Sequence, residues 1–279
     1  MVDHSLGQTE IPLHPQRIVV LDANQTFLLD GLLSLDIKPV GLARCARCIN
    51  SDPFSDIVGD LPSVGTEERP SLEKILSLKP DLILGYKWQE AFYPLLSEIA
   101  PTVMVDPFAG GHDFKRNFRQ LAEILGKSDQ SDSALAEYNQ KIQAFQQQFG
   151  EKLNSKTVSL IWFFESNFHV YGPEHLFMGW VMSEAGIQFI PIYKELGRDS
   201  LSNMSLESLP DWDADFLFLG LYYEDSLEEL ESVFNQPLWS KLEAVHNDQV
   251  YIMTEYPSGG PIGAIQFIDE LSDYFSSKL

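Results

Sequence analysis

Ser71-Leu-Glu-Lys-Ile-Leu-Ser-Leu-Lys-Pro-Asp-Leu-Ile-Leu-Gly85 and Ser205-Leu-Glu-Ser-Leu-Pro-Asp-Trp-Asp-Ala-Asp-Phe-Leu-Phe-Leu-Gly220 are two versions of one pattern. Each begins with a Ser-Leu-Glu helix start. Each ends with an aspartate that leads into a short apolar run closed by glycine, which reads as a buried strand. Glu73 and Glu207 stand 134 residues apart, and so do Asp81 and Asp215. Agreement in residue type, element order and offset predicts two similar lobes.

The chain around these stretches alternates in the same way. Arg17-Ile-Val-Val-Leu21, Pro39-Val-Gly-Leu42, Asp81–Gly85 and Pro101-Thr-Val-Met-Val105 are strand-like. Phe27, Leu28, Gly31, Leu32 and Leu35 recur at helical spacing, and Ser71–Leu78 and Trp88–Ile99 also read as helices. In the second half the strands are Thr157–Phe164, Phe216–Leu219 and Val250–Met253, and the helices are Leu176–Ala185, Ser226–Phe234 and a terminal one from Gly260. Short βα units at this spacing predict mainly parallel sheets flanked by helices, an α/β fold. From Ser128 to Leu153 there is no proline, and Leu135, Tyr138, Ile142, Phe145 and Phe149 form one narrow apolar stripe. At 1.5 Å per residue, such a helix spans ~37 Å. One stripe over that length suits a helix joining two lobes; a covering helix in one larger domain is the other reading. The expected division is residues 1–126 as the N-terminal α/β lobe, 127–153 as the bridging helix and 154–279 as the C-terminal α/β lobe.

Composition narrows the function. The 279 residues carry 19 Lys and Arg against 41 Asp and Glu, a net charge of −22. That field repels nucleic acid phosphates and anionic lipid, so neither is an expected partner. No apolar run approaches the ~20 residues of a membrane-spanning helix. Met1-Val-Asp-His-Ser-Leu6 has no basic start and no apolar core, so it is not a secretory leader. A cytoplasmic protein and a mature exported form both satisfy this. Walker A, GxGxxG and GxSxG motifs are absent, which speaks against the commonest enzyme classes; a cytoplasmic α/β enzyme is the alternative from another class. The six histidines show no HxH or HxxxH spacing, so no metal site of the protein's own is expected.

Pro15-Gln-Arg-Ile-Val-Val-Leu21, Lys38-Pro-Val-Gly41, Pro70–Asp81, Ile99-Ala-Pro-Thr-Val103, Leu121-Ala-Glu-Ile-Leu-Gly-Lys127, Met204-Ser-Leu-Glu207, Leu242-Glu-Ala-Val245 and Asn247-Asp-Gln-Val-Tyr251 occur in that order. From about Pro15 to the C-terminus the chain resembles the periplasmic binding proteins of iron-siderophore and cobalamin importers. The resemblance implies two α/β lobes joined by one long helix, with ligand in a cleft between them. It also implies delivery to an ABC permease dimer, and export to the periplasm or, with a lipid anchor, to the cell envelope. Carried over by motif, Glu73 and Glu207 are the acids that meet arginines of the two permease subunits. A monomer is expected.

In open parallel sheets, ligands sit beyond the carboxyl ends of the strands. There the sequence places Arg44, Arg47, Tyr86, Lys87, Trp88, Trp162, Phe164, Tyr222 and Tyr256, while Arg69 and Arg198 lie in loops just before the two Ser-Leu-Glu starts. Guanidinium forks suit carboxylate and hydroxamate oxygens, and aromatic faces suit a bulky chelate body. The alternatives are solvated surface charge for each arginine and core packing for each ring, Trp162 above all. The ligand expected is a ferric siderophore, hydroxamate or citrate-hydroxamate in type, whose iron is already coordinated, so no further cofactor is needed. Haem, cobalamin and bare metal are the alternatives within the same fold. Cys45 and Cys48 form a CxxC without a second pair, and a loop disulfide is expected in an oxidising compartment.

Overall fold

A computed structural model describes every residue except 23–26, 45–53, 110–112, 198, 222–225 and 255. Its contacts divide the chain into two units. The first comprises Met1–Ala46, Asp52–Tyr138 and Ser258–Ala264; the second includes Asn139–Pro257 and Ile265–Leu279.

The first unit opens with an antiparallel hairpin, β1 (Val2–His4) and β2 (Gly7–Thr9). Its sheet is built from β3 (Ile18–Val20), β4 (Gly41–Arg44), β5 (Ser63–Thr66), β6 (Leu82–Tyr86) and β7 (Thr102–Val105). The strand order is β5-β4-β3-β6-β7, and every pairing is parallel. The central strands are apolar throughout because helices cover both faces: Ile18, Val19, Val20, Leu82, Ile83 and Leu84 are all buried. The chain runs outward from β3 through β4 to β5, then returns to the other side of β3 with β6. The order therefore switches between β3 and β6, and in open parallel sheets ligands bind beyond the carboxyl ends of the strands at such a switch.

The second unit has a six-stranded sheet of β8 (Thr157–Phe164), β9 (Asn167–Tyr171), β10 (Gln188–Phe189), β11 (Ser200–Met204), β12 (Phe216–Leu221) and β13 (Val250–Met253). Along β11-β9-β8-β12-β13 the pairings of β8, β12 and β13 are parallel, as is that of β10 with the start of β8. β9 and β11 are antiparallel additions absent from the sequence reading. β8 reverses into β9 through Glu165 and Ser166, both at positive φ (50° and 58°), a turn without the Asn-Gly that usually announces it.

The internal repeat has a structural basis at the amino edge of each sheet. Asp81 accepts the backbone amides of Gln16 and Arg17, both at 2.8 Å, and so ties the entry of β6 to that of β3. Asp215 accepts the Thr157 amide at 2.8 Å and the Lys156 ammonium at 2.7 Å, and so ties β12 to β8. The preceding Ser-Leu-Glu opens an α-helix at Leu72–Ser77 but a 3-10 helix at Leu206–Trp212, where Pro210 removes a helical donor.

The long helix runs from Ser128 to Leu153, 26 residues, with the whole predicted stripe from Leu135 to Phe149 buried. The border between the units falls within it, after Tyr138. A second helix, Pro261–Lys278, also contributes to both units. Its first amides are satisfied from a distance: buried Asp30 accepts Ile262 N at 3.1 Å and Gly263 N at 2.8 Å, together with the hydroxyls of Ser258 and Ser34. With Pro261 in the first turn, Asp30 acts as the cap. A Cβ on Gly260 would lie 2.4 Å from the Asp30 carboxylate, so the close approach requires glycine.

Candidate ligand-binding site

In the first unit the residues beyond the switch point form one connected cluster. After β3 comes Asp22, 1% exposed, whose carboxylate accepts the Leu29 amide at 3.0 Å. After β5 comes Glu67, 5% exposed. β6 ends in Tyr86, fully buried, followed by Lys87, Trp88 and Gln89. The Gln89 side chain joins the three strand ends: its oxygen accepts Tyr86 N at 2.8 Å, and its nitrogen donates to the carbonyls of Leu21 and Glu67, both at 3.0 Å. A side chain on Gly85 would meet that Gln89 oxygen at 2.7 Å. Burial, with the Glu67 charge added, pushes the Asp22 carboxyl up to about 7 against hydrogen bonds from Leu29 and Tyr86. Burial and the neighbouring Asp22 charge raise the Tyr86 phenol well above its ordinary value, so it stays protonated.

Trp88 stands over this cluster, 44% exposed. Its ring stacks on Tyr86 at 4.2 Å between centroids and on Phe108, from the loop after β7, at 5.4 Å. Its indole N–H donates to Glu67 Oε1 at 2.7 Å. Lys87 is exposed and pairs with Asp106 at 3.2 Å. The carboxyl edge thus presents an aromatic platform, Trp88 and Phe108, beside a cation.

The second unit gathers rings at the matching edge. Trp162, 2% exposed, lies over Gly220 of β12, where a Cβ would come within 2.4 Å of the indole. Its other neighbour is the half-buried Tyr256, at 5.3 Å. Phe164 stacks on His169 at 3.7 Å with the planes 6° apart. His169 is 4% exposed, and burial lowers its pKa, outweighing the bond to the Phe164 carbonyl and the Glu165 charge, so the imidazole is neutral at pH 7.

Several expectations from the sequence change here. Tyr86 is fully buried and supports Trp88 from below instead of reaching a ligand itself. Arg44 is half-buried and donates to the Val58 carbonyl at 2.9 Å, anchoring the chain after β4 instead of presenting its whole fork outward. Trp162 is part of the sheet's packing, as its mid-strand position allowed. Arg69 lies exposed in the turn after β5, on the edge that carries Trp88. Arg47, Arg198, Tyr222, Cys45 and Cys48 lie outside the described residues. Glu73 and Glu207 are exposed, each in the first turn of its helix; hydrogen bonding to Ser205 lowers the Glu207 pKa. Sequence reasoning missed Asp22, Glu67, Gln89, Phe108 and His169. The strand-end rule would have found Asp22 and Phe108, which follow β3 and β7; Glu67 follows β5, a strand the sequence reading did not include. Among the described residues, no group of three or more His, Cys, Asp or Glu side chains is placed to hold a metal ion.

Two α/β units with rings gathered at the carboxyl edge of each sheet define a binding protein of the two-lobed importer class. The chain belongs to the periplasmic binding protein family, whose model matches residues 18–257. That is the family its motifs resembled, and it is one of binding proteins, not enzymes. The chain is 33% identical to the probable siderophore-binding lipoprotein YfiY of Bacillus subtilis (strain 168), over 98% of this chain and 87% of that protein. It is 30% identical to the achromobactin-binding periplasmic protein of Dickeya dadantii (strain 3937), over 92% and 86% of the two chains. Staphylococcus aureus SirA, solved in complex with staphyloferrin B, matches with a TM-score of 0.79 at 27% identity, covering 99% of this chain and 98% of that one. No helix among the described residues is long and apolar enough to cross a membrane.

Proposed function

We propose that this protein is the substrate-binding component of an ABC-type importer and carries a ferric siderophore to a membrane permease. The observation that carries the reading is the exposed Trp88–Phe108 platform at a sheet's switch point, in a chain aligned almost end to end with a siderophore-binding relative. The platform takes the apolar body of the chelate, and Arg69 and Lys87 on the same edge take its anionic oxygens. A hydroxamate or citrate-hydroxamate chelate fits that mixture of ring and cation. The iron arrives and leaves within the siderophore, so the protein needs no ligands of its own for it. The protein works as a monomer in the periplasm or cell envelope, free or lipid-anchored, and docks on the permease dimer through Glu73 and Glu207.

Titration of the purified protein with ferric and iron-free siderophores, followed by tryptophan fluorescence and thermal melting, tests this. Ferric hydroxamate or citrate-hydroxamate chelates should quench the fluorescence saturably and raise the melting temperature, since a ligand that binds only the folded chain stabilises it. Haem or cobalamin shifting both signals while no ferric siderophore does would overturn the assignment.

A further inference from the structure

An aromatic side chain that is 44% exposed ordinarily loses orientational freedom only when a ligand arrives; Trp88 has lost it in advance. One ring face is held by Tyr86 at 4.2 Å, and the indole nitrogen is held by Glu67 at 2.7 Å. Glu67 is itself immobilised. It is 5% exposed, and its carbonyl receives Gln89 Nε2, which also bonds the end of β3 at Leu21. A bond from an N–H to a buried carboxylate is among the strongest a neutral donor makes. It also consumes the only polar atom of the indole, so what Trp88 offers outward is apolar ring surface. Tyr86 is fixed in turn through its hydroxyl, which meets the Leu28 amide and Asp22. The strand ends are joined by Gln89 without the Glu67 carboxylate, and that carboxylate is the group that accepts the Trp88 indole N–H.

We propose that Glu67 is the positioning residue of the ligand platform: it holds the Trp88 indole at the angle that aligns it with Phe108, so that the chelate meets a preformed aromatic surface. This rests on the binding function proposed above. A preformed surface spares the complex the ordering of one large side chain, which corresponds to about a threefold to tenfold gain in affinity.

The test has one arm without ligand and one with it. In the unliganded wild-type protein, the Trp88 indole N–H resonance, assigned by its loss in Trp88→Phe, should exchange slowly with solvent although the ring is exposed. Rapid exchange would overturn the proposal, whatever becomes of any variant. Glu67→Ala should release that resonance into fast exchange and weaken binding of the tightest ferric siderophore about threefold to tenfold, while Glu67→Gln, which still accepts the bond, should restore both. In a Trp88→Phe background, Glu67→Ala should cost no further affinity, because the tether is already gone. An equal loss in both backgrounds would make Glu67 a structural residue and overturn the proposal, as would unchanged affinity in Glu67→Ala alone. A wild-type protein that binds no ferric siderophore overturns the proposed function, and the platform role with it. A chelate bound equally well by wild type and Glu67→Ala overturns the positioning role alone.

Discussion

Replacing Asp22 with asparagine should make the first unit progressively more stable than wild type as pH rises from 5 to 8. Asp22 is 1% exposed, and burial beside the Glu67 charge lifts its carboxyl from the ordinary 3.8 to about 7. Below pH 3.8 the carboxyl is protonated in both the folded and the unfolded chain, and its contribution to stability is fully present. Between 3.8 and about 7 the folded chain holds a proton that the unfolded chain has released, so stability falls as pH rises through that window. Some three pKa units at 1.36 kcal/mol each give a total loss of about 4 kcal/mol, of which about 2–3 kcal/mol falls between pH 5 and pH 8. Asparagine keeps an oxygen for the Leu29 amide and has no such proton to lose, so the slope should vanish in Asp22→Asn. Urea unfolding at pH 5, 6, 7 and 8, followed by tryptophan fluorescence, measures the difference as a shift in midpoint at constant m-value. A difference that does not change with pH would refute the buried, proton-linked carboxyl. A variant that loses ground to wild type as pH rises would refute the sign.

Two further outcomes follow from the same geometry. Asp30→Ala removes one acceptor from the Ile262 and Gly263 amides and the Ser258 and Ser34 hydroxyls at a fully buried position, so unfolding free energy should drop by about 3–5 kcal/mol in urea melts, with Asp30→Asn costing less. Glu73→Ala and Glu207→Ala remove exposed acids, so siderophore affinity and melting temperature should hold while cellular uptake of the ferric chelate falls, most in the double variant; normal uptake by the double variant would refute the docking role.

What could be read in the sequence were the features that repeat over short range. The apolar runs of β3, β6, β7, β8, β12 and β13 announced themselves, and the stripe from Leu135 to Phe149 gave the long helix from Ser128 to Leu153. Trp88–Ile99 read as a single helix but is a 3-10 helix, Lys87–Phe92, followed by a separate helix, Tyr93–Ser97. Pro94 allows a helix to start there but not to pass through. β1, β2, β5, β9, β10 and β11 escaped because they are short and partly polar. At the candidate site, position after a strand identified Trp88 and Lys87 correctly as edge residues. It could not tell Tyr86, which points inward, from Trp88, which points outward. The partners that settle this lie far apart in sequence: Glu67 is 21 residues from Trp88, and Leu21 is 68 from Gln89. No local pattern encodes such pairs.

The two halves of the chain agree at the amino edges of their sheets and differ at the carboxyl edges. At the amino edges Asp81 and Asp215 make the same tie between paired strands, because entry of the chain into a parallel sheet leaves the same backbone amides to satisfy in each unit. At the carboxyl edges β6 and β12 each carry a glycine one residue before the strand ends, yet the space above it is used differently. Over Gly85 sits the amide of Gln89, part of a polar network that ends in an exposed, tethered indole. Over Gly220 sits the ring of Trp162 itself, packed flat and closed to solvent. Trp162 lies within β8, paired with Gly220, whereas Trp88 follows β6, so the two rings hold different positions in their units. The first is a ring buried in its own sheet, and the second is an exposed ring on the edge proposed to meet the chelate. This is why substitutions at Trp88 and at Trp162 should separate: that at Trp88 should alter which chelate binds, that at Trp162 how stably the sheet of its unit is packed.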